Sequence, residues 1–392
     1  MNIGIKSIAF VHYAMAIGGI ERSLINLLNR VDFTKISVDF YILTTSDTML
    51  NELNPNVNVI FRINQFEKAL TKLAASSSGV IATICSFALK VQRGLVRWIS
   101  AMPHVGKYVL GTPITKKYDA VFALSQGIVQ FFALENLTSR KKYAFYHNGN
   151  IEFFNKHLNC FLRFEGIILV SNELMELIAS HHPNLVGKLH VMHNIVPQDE
   201  IRSLSLADTV HNECQNERRI LVSCGRLNFE KGFDMAVDAA RILNENALLD
   251  FDWYIIGDGK ERNSLNRKIR EHSLQDRVFL IGWKMNPYPY MRACHLYIQP
   301  SRIESFGISM VEAQVLGKIV VATETLGAKE VISDRVTGVL CNISASSIAE
   351  KIEDIMRDKQ HYNDIQANVA RIDFEKRNAN ALEKFTELIA AN

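Results

Sequence analysis

Pro300 to Gly317 reads PSRIESFGISMVEAQVLG. The apolar run His295 to Gln299 leads into it and predicts a short strand. A loop with Ser301, Glu304, Ser305 and Gly307 follows, and Ile308, Met310, Val311, Ala313, Val315 and Leu316 then recur at helical spacing up to Gly317. A strand, a small-residue loop and a helix N-terminus form an anion site, because the first N–H groups of a helix have no partner inside it. Gly307 lets a ligand approach the backbone closely. Glu304 precedes the helix and Glu312 lies about one turn inside it. A phosphate alone has no use for carboxylates, whereas the hydroxyls of a sugar are donors that suit them. The plainer alternative is a strand–loop–helix corner with two solvated glutamates.

The chain around this stretch has 392 residues, enough for two or more domains. Hydrophobic residues make up 48% and charged residues 22%, ordinary values for a globular protein. Six cysteines (Cys85, Cys160, Cys214, Cys224, Cys294, Cys341) are scattered without paired spacing, which favours reduced thiols over a disulfide framework or a zinc site. No apolar run reaches the ~18 residues of a spanning helix, and MNIGIKSIAF lacks the pattern of a signal peptide. The expected location is therefore cytoplasmic. Charge is uneven: residues 1–197 hold 19 Lys and Arg against 12 Asp and Glu, residues 198–392 hold 25 against 29. The two halves are expected to meet different partners.

The first half alternates strand and helix patterns. Strands are expected at Ser7–Val11, Val38–Leu43, Val57–Phe61, Ala120–Leu124, Lys142–Tyr146 and Gly166–Val170. Such alternation argues for a parallel sheet covered on both faces. Gly18-Gly19 then sits at a strand C-end and opens a helix, where sheets of this kind bind ligands. The dinucleotide pattern G-x-G-x-x-G is absent there, which weighs against an oxidoreductase. Between Lys68 and Tyr118 there are eight Lys or Arg and no acid. Within that span Ile84, Phe87, Ala88, Val91, Leu95, Trp98, Ile99 and Met102 share one helical face, and Lys90, Arg93 and Arg97 the opposite one. A basic amphipathic helix of this type lies on an anionic membrane or packs on a core, and both readings stand.

Asn194 to Arg219 is polar and reads as the connection between domains. Beyond it, the strand Ile220–Cys224 leads into Gly225-Arg226 and then Lys231-Gly232, so two cations meet at a strand-to-helix corner. That suits a diphosphate, since Arg offers a planar fork and Lys a point charge; two surface cations are the plainer alternative. Phe251–Ile256 ends in Gly257-Asp258-Gly259, Val278–Ile281 in Gly282-Trp283, and Ile319–Ala322 precedes a short helix opened by Gly327. Asp250-Phe251-Asp252 has a metal-binding D-x-D look, but lies at the opposite end from the glycine turns and reads as a solvated corner. Ala379–Ala390 has a helical pattern.

Together these pieces resemble the retaining glycosyltransferases of family 4. The resemblance is carried by GRLNFEKGFD, WYIIGDGKER, VFLIGW, PSRIESFGISMVEA and GKIVVATETLGAKEVI between Leu221 and Leu340, in the family's order and spacing. In the first half AIGGIERSLINLL, KKYDAVFALSQG and KKYAFYHNGN are similar to bacterial members that build surface polysaccharides, while residues 60–115 carry no family motif. The resemblance implies a GT-B fold, an α/β architecture of two Rossmann-like domains facing each other across a cleft. The expected boundaries are 1–197 for the acceptor domain with its basic segment 68–118, 198–218 for a linker, 219–375 for the donor domain and 376–392 for a last helix.

It also implies roles. Arg226 and Lys231 would grip the donor diphosphate, with Gly225 beside them, and Gly18 and Gly19 would approach it from the first domain. Glu312 would bind the ribose hydroxyls. Glu304, with Phe306, Gly307 and Ile308, would hold sugar and phosphate. Gly282-Trp283 would meet the nucleobase, and His147 would lie near the transferred sugar. Asn148-Gly149 departs from the Asn-Asp of related polysaccharide enzymes. The implied donor is a nucleotide-diphosphate sugar, with cations and helix N-termini in place of a metal and no cofactor. The implied acceptor is lipid-linked or a polysaccharide, and the basic segment 68–118 would make a peripheral contact with the anionic inner face of the membrane.

Two other readings share this donor chemistry: a sugar-nucleotide epimerase of the same fold, and a non-catalytic sugar-nucleotide-binding subunit. The basic amphipathic segment weighs against the first. The complete set Arg226, Lys231, Glu304 and Glu312 weighs against the second. Nucleic acid is not an expected partner, because the basic span lacks the aromatic interleaving of a single-strand groove.

Overall fold

The computed structural model describes residues 5–15, 18–44, 48–62, 114–207, 218–246 and 249–390. The chain divides into two units, one of Met1–Val170, Met175–Ile195 and Asn380–Asn392, the other of Ser171–Leu174 and Val196–Ala379.

The first unit is built on seven strands: β1 Lys6–His12, β2 Ile36–Ile42, β3 Asn58–Phe61, β4 Lys117–Ala123, β5 Thr138–Tyr146, β6 Gly166–Leu169 and β7 Leu189–Val191. All pair in parallel, in the order β3-β2-β1-β4-β5-β6-β7. The C-terminal parts of β1, β2, β4 and β5 are buried, as in a parallel sheet covered on both faces. Phe10 and Phe122 stack at 5.0 Å, and Phe385 of the last helix packs on Phe122 at 5.4 Å. Offset aromatic packing of this kind adds to the area each ring buries. A polar cluster is anchored on buried Asp39: buried Tyr118 donates to it at 2.5 Å, and exposed Lys116 and Asn58 donate at 2.7 Å and 2.9 Å. Three donors hold the Asp39 carboxyl below the usual range, against the upward push of burial.

The second unit repeats the plan with β8 Arg219–Cys224, β9 Phe251–Ile256, β10 Val278–Gly282, β11 Leu296–Gln299, β12 Ile319–Thr323 and β13 Val339–Cys341. Its parallel order is β10-β9-β8-β11-β12-β13. Trp253 is fully buried, and its indole N–H donates to Ser223 Oγ at 3.0 Å, which donates to Ile298 O at 2.7 Å. A polar relay thus ties β9, β8 and β11 through the core. In both sheets the strand order reverses beside the first strand, at β1/β4 and at β8/β11. Ligands of open α/β sheets bind outside the C-ends of the strands at that reversal.

Some expectations are corrected. The stretch expected as a linker forms a helix, Gln198–Leu204, within the second unit; residues 208–217 lie outside the described residues. The last helix runs Phe374–Ala390 and contributes to both units. Strands β7 and β13 and the helix Ile128–Glu135 were not expected. Asp252 is no solvated corner: it is 2% exposed, and Arg218 donates to it at 3.0 Å. Arg277 pairs with Asp250. The basic amphipathic helix expected within 68–118 falls outside the described residues up to residue 113. No helix among the described residues is long and apolar enough to cross a membrane. Cys160, Cys224, Cys294 and Cys341 are thiols.

Gly232 has φ +65°, and a Cβ there would stand 1.9 Å from Pro300 O. Gly317 has φ +71° with nothing within 4 Å of an added Cβ. Gly317→Ala is therefore expected to cost the left-handed penalty alone, about 1–2 kcal/mol, whereas Gly232→Ala adds a backbone clash and should cost clearly more. Urea unfolding of the two variants beside the wild type checks this; equal losses would show that the Gly232 contact relaxes freely.

Candidate functional site

Each unit has its own constellation at the strand reversal. In the second unit β8 ends at Cys224, and Gly225-Arg226 and a 3-10 turn, Phe229–Lys231, follow. The Asn228 side chain caps this turn by accepting from Lys231 N. The loop after β11 runs against it: Arg302 N donates to Glu230 O at 2.8 Å, and the Arg302 guanidinium forks onto Asp234 with both contacts at 2.7 Å. The two neighbouring strands thus present two loops as one surface.

Of the expected residues of this unit, Lys231 and Glu304 meet there. Lys231 Nζ lies 2.5 Å from Glu304 Oε2, so the two neutralise each other. Arg226 is exposed and has no ion-pair partner among the described residues. Tyr288 donates to Glu312 Oε1 at 3.0 Å. The Cys224 thiol is buried under this corner and pushed up to about 12, by burial first and then by the Glu312 charge, with Lys231 opposing. It stays protonated at neutral pH and is no nucleophile. Beside it the Tyr297 hydroxyl donates to Gln299 Oε1 at 3.1 Å, and burial raises its pKa well above the usual value. Gln299 donates to Ser301 Oγ at 2.8 Å and stands 3.5 Å from Glu304.

Phe306 is buried, and Gly307 opens the helix Ile308–Val315 with φ +78°, a left-handed conformation a side chain would strain. An added Cβ at Gly307 would also stand 2.1 Å from Met310 Cε. The glycine is thus needed for the fold of the turn itself, whatever binds there. Gly282 O accepts from Gly257 N at 2.9 Å, and Trp283 behind it is 48% exposed. It follows β10, two strands from β8, hence about 10 Å to the side at ordinary strand spacing.

In the first unit Gly18 precedes the helix Gly19–Leu28 with φ −172°, extended backbone open to any residue. His12, the last residue of β1, is 4% exposed, and its Nε2 stands 3.0 Å from Glu21 in the first turn of that helix. Its Nδ1 has no partner among the described residues. His147 follows β5 and stacks on Phe145 at 5.3 Å. Burial, and then the nearby His12, push its pKa down to about 3, so the imidazole is neutral at physiological pH.

Sequence reasoning missed His12, Glu21, Tyr288, Tyr297 and Gln299. A polar residue ending an apolar strand at the ligand end was a usable signal for His12 and Gln299. Tyr288 carried none, because its partner is on another element. Among the described residues no cluster of three or more His, Cys, Asp or Glu is arranged to hold a metal ion.

Residues 208–372 match the family model described as Glycosyl transferases group 1. A protein in the cps region of Klebsiella pneumoniae is 30% identical over 173 residues, 43% of this chain and 45% of that protein. The N-acetylgalactosamine-N,N'-diacetylbacillosaminyl-diphospho-undecaprenol 4-alpha-N-acetylgalactosaminyltransferase of Campylobacter jejuni is 26% identical over 174 residues, 44% of this chain and 45% of the enzyme. The match thus spans less than half of either relative. Anabaena HepE, solved in complex with UDP-glucose, superposes with a TM-score of 0.70 at 19% identity, over 97% of this chain and 99% of that one. At that identity the likeness speaks for the fold alone, which is GT-B with two Rossmann-like domains.

The His147 shift predicts an acid sensitivity. Between about pH 6.5, the ordinary histidine value, and about 3, the unfolded chain binds a proton that the folded chain refuses. Its stability contribution is therefore full above that window and is lost as pH falls through it. Acidifying from pH 7 to 5 should cost about 2 kcal/mol at this site, from 1.36 kcal/mol per pH unit below 6.5. Melting temperatures against pH should flatten over this range in His147→Phe. An unchanged slope would locate the acid sensitivity elsewhere.

Proposed function

We propose that the chain is a retaining glycosyltransferase that moves a sugar from a nucleotide-diphosphate sugar to a lipid-linked or polysaccharide acceptor in surface-glycan assembly. One observation carries this reading. At the reversal of the second sheet, Lys231 pairs with Glu304 just before the helix Ile308–Val315, which carries Glu312, and Arg226 lies in the same loop after β8 as Lys231. Cations and open N–H groups serve a diphosphate, and carboxylates serve the hydroxyls of the sugars on either side of it. The names of the relatives, a transferase onto a diphospho-undecaprenol carrier among them, support the surface-glycan setting.

In this reading Arg226 and Lys231 bind the diphosphate, with Gly225 beside it. Glu312 takes the ribose hydroxyls, and Tyr288 orients its carboxylate. Glu304 with the backbone of Phe306, Gly307 and Ile308 holds the sugar, and Gly282-Trp283 faces the base. The bond from the sugar anomeric carbon to the phosphate oxygen breaks, and the electron pair leaves with the diphosphate. The acceptor hydroxyl oxygen forms its bond on the same face and passes its proton to the departing phosphate oxygen. Configuration is thereby retained with no covalent enzyme intermediate. Developing charge on the diphosphate meets preorganised cations, so no metal is required. The D-x-D carboxylates are not available for one, because Arg218 and Arg277 hold them.

A panel of nucleotide sugars, assayed in EDTA with polyprenyl-diphosphate-linked glycan acceptors, tests the reading. Transfer with retained configuration is expected from at least one donor, and Lys231→Ala should lower its turnover by about 10²–10³-fold. Near-normal turnover in the variant, or activity only after magnesium is restored, would remove the charge-clamp mechanism.

The basic segment 68–118 supplies the membrane half of the proposal. Each Lys or Arg near an anionic surface adds about 1 kcal/mol of attraction, which salt weakens. Liposomes with anionic lipid should hold the protein at low salt and release it as salt rises. Lys90, Arg93 and Arg97 changed together to Glu should abolish retention with the fold intact. Wild-type protein that ignores such liposomes at low salt would leave a soluble acceptor as the better reading.

A further inference from the structure

Arg377 sets a partly buried cation against an aromatic face. It lies in the first turns of the helix Phe374–Ala390, partly buried, with its guanidinium carbon 4.8 Å from the centroid of the Phe306 ring. Burial lowers its pKa, and Glu330 is the carboxylate that opposes this shift. Desolvating a guanidinium is unfavourable unless something replaces its water. The replacements here are the face of Phe306 and the Glu330 charge. The arrangement is held from the next residue: Asn378 is buried, accepts from Val196 N at 3.0 Å and donates to Val196 O at 2.8 Å. The helix is thus anchored beside Arg377.

Phe306 is the centre of the loop between Glu304 and the helix Ile308–Val315. On one side the loop backbone is packed against Gly327, where an added Cβ would stand 2.5 Å from Phe306 N. Gly327 N donates to Glu304 O at 2.8 Å. These contacts fix the backbone; the ring of Phe306 is gripped by Arg377. A cation over an aromatic face is directional, and it strengthens as water is removed. A leucine in its place would fill volume without fixing the plane of the ring.

We propose that Arg377 is a positioning residue, which through the face of Phe306 holds the Glu304–Gly307 loop in the geometry that receives the sugar and phosphate of the donor. This deepens the donor-site reading above and rests on it. Arg377 touches no reacting atom; it acts through Phe306.

The test compares full-length wild type with Arg377→Leu and Arg377→Lys. Backbone hydrogen exchange over 303–308 should speed up at least tenfold in Arg377→Leu and less in Arg377→Lys, which keeps a cation for the ring. With the donor that the wild type uses, kcat/KM for donor should fall about tenfold in the leucine variant and recover in part in the lysine variant. The KM for acceptor should not move. In a Phe306→Leu background, replacing Arg377 should add little to either effect. Unchanged exchange in Arg377→Leu overturns the proposal. Faster exchange with an unchanged donor kcat/KM overturns the positioning role and leaves Arg377 as packing. Should Arg377→Leu fail to fold, Arg377→Lys and the Phe306→Leu pair decide by the same readouts. If wild type neither transfers sugar nor binds UDP or GDP by calorimetry, the donor-site reading fails, and the positioning role fails with it whatever the exchange rates. A wild type that binds or transfers normally, with variants that do not differ from it, sinks the Arg377 proposal alone.

Discussion

No side chain fits at residue 232. Pro300 O occupies the space where its Cβ would stand, and the backbone is left-handed there. That contact lets the loop after β8 lie directly on the loop after β11. The rest of the corner is built beside it: Arg302 N reaches Glu230 O and its guanidinium forks onto Asp234, and the Lys231 ammonium reaches Glu304. A fork onto a carboxylate is a directional bond as well as an ionic one. It locks the angle between the two loops, so the geometry of the charged groups is set by the backbone.

Much of the fold could be read in the sequence, for a specific reason. The strand Phe251–Ile256 is buried at every position and, apart from Asp252, reads as an apolar run ending in a glycine turn. Parallel α/β sheets carry ligands at those turns, so the placement of Arg226, Lys231, Glu304 and Glu312 needed only local pattern and strand polarity. What local pattern lacks is length or partner. Strands β7 and β13 have three residues each, too few for a period to show. The helix Gln198–Leu204 is polar because one residue, Ile201, is buried, so its composition reads as linker. Asp252 reads as solvated until Arg218 is seen beside it, and that pairing exists only because their elements meet in the folded sheet. Arg377 and Phe306 are likewise brought together by tertiary packing alone.

The ionisable groups around the corner have distinct tasks because burial has removed some of them from titration. The thiol of Cys224 and the phenol of Tyr297 are held neutral by desolvation beneath the loops. In the proposed reading the groups that meet a ligand there are Arg226, Lys231, Glu304 and Glu312. With two cations against two carboxylates the corner has little net charge, and that bears on what it can select. A bare diphosphate would gain from the cations and be repelled by both carboxylates. A diphosphate with a hydroxyl-bearing sugar at each end presents donors where the carboxylates stand, turning the repulsion into charge-assisted hydrogen bonds. In the proposed reading the same carboxylates would discriminate against inorganic anions and favour a nucleotide sugar, a use of repulsion as well as attraction in specificity. The Lys231–Glu304 contact fits this scheme. Each group keeps the other solvated by a counter-charge until a ligand offers both a phosphate for the lysine and a hydroxyl for the glutamate, and a ligand offering one alone leaves the other group short of a partner.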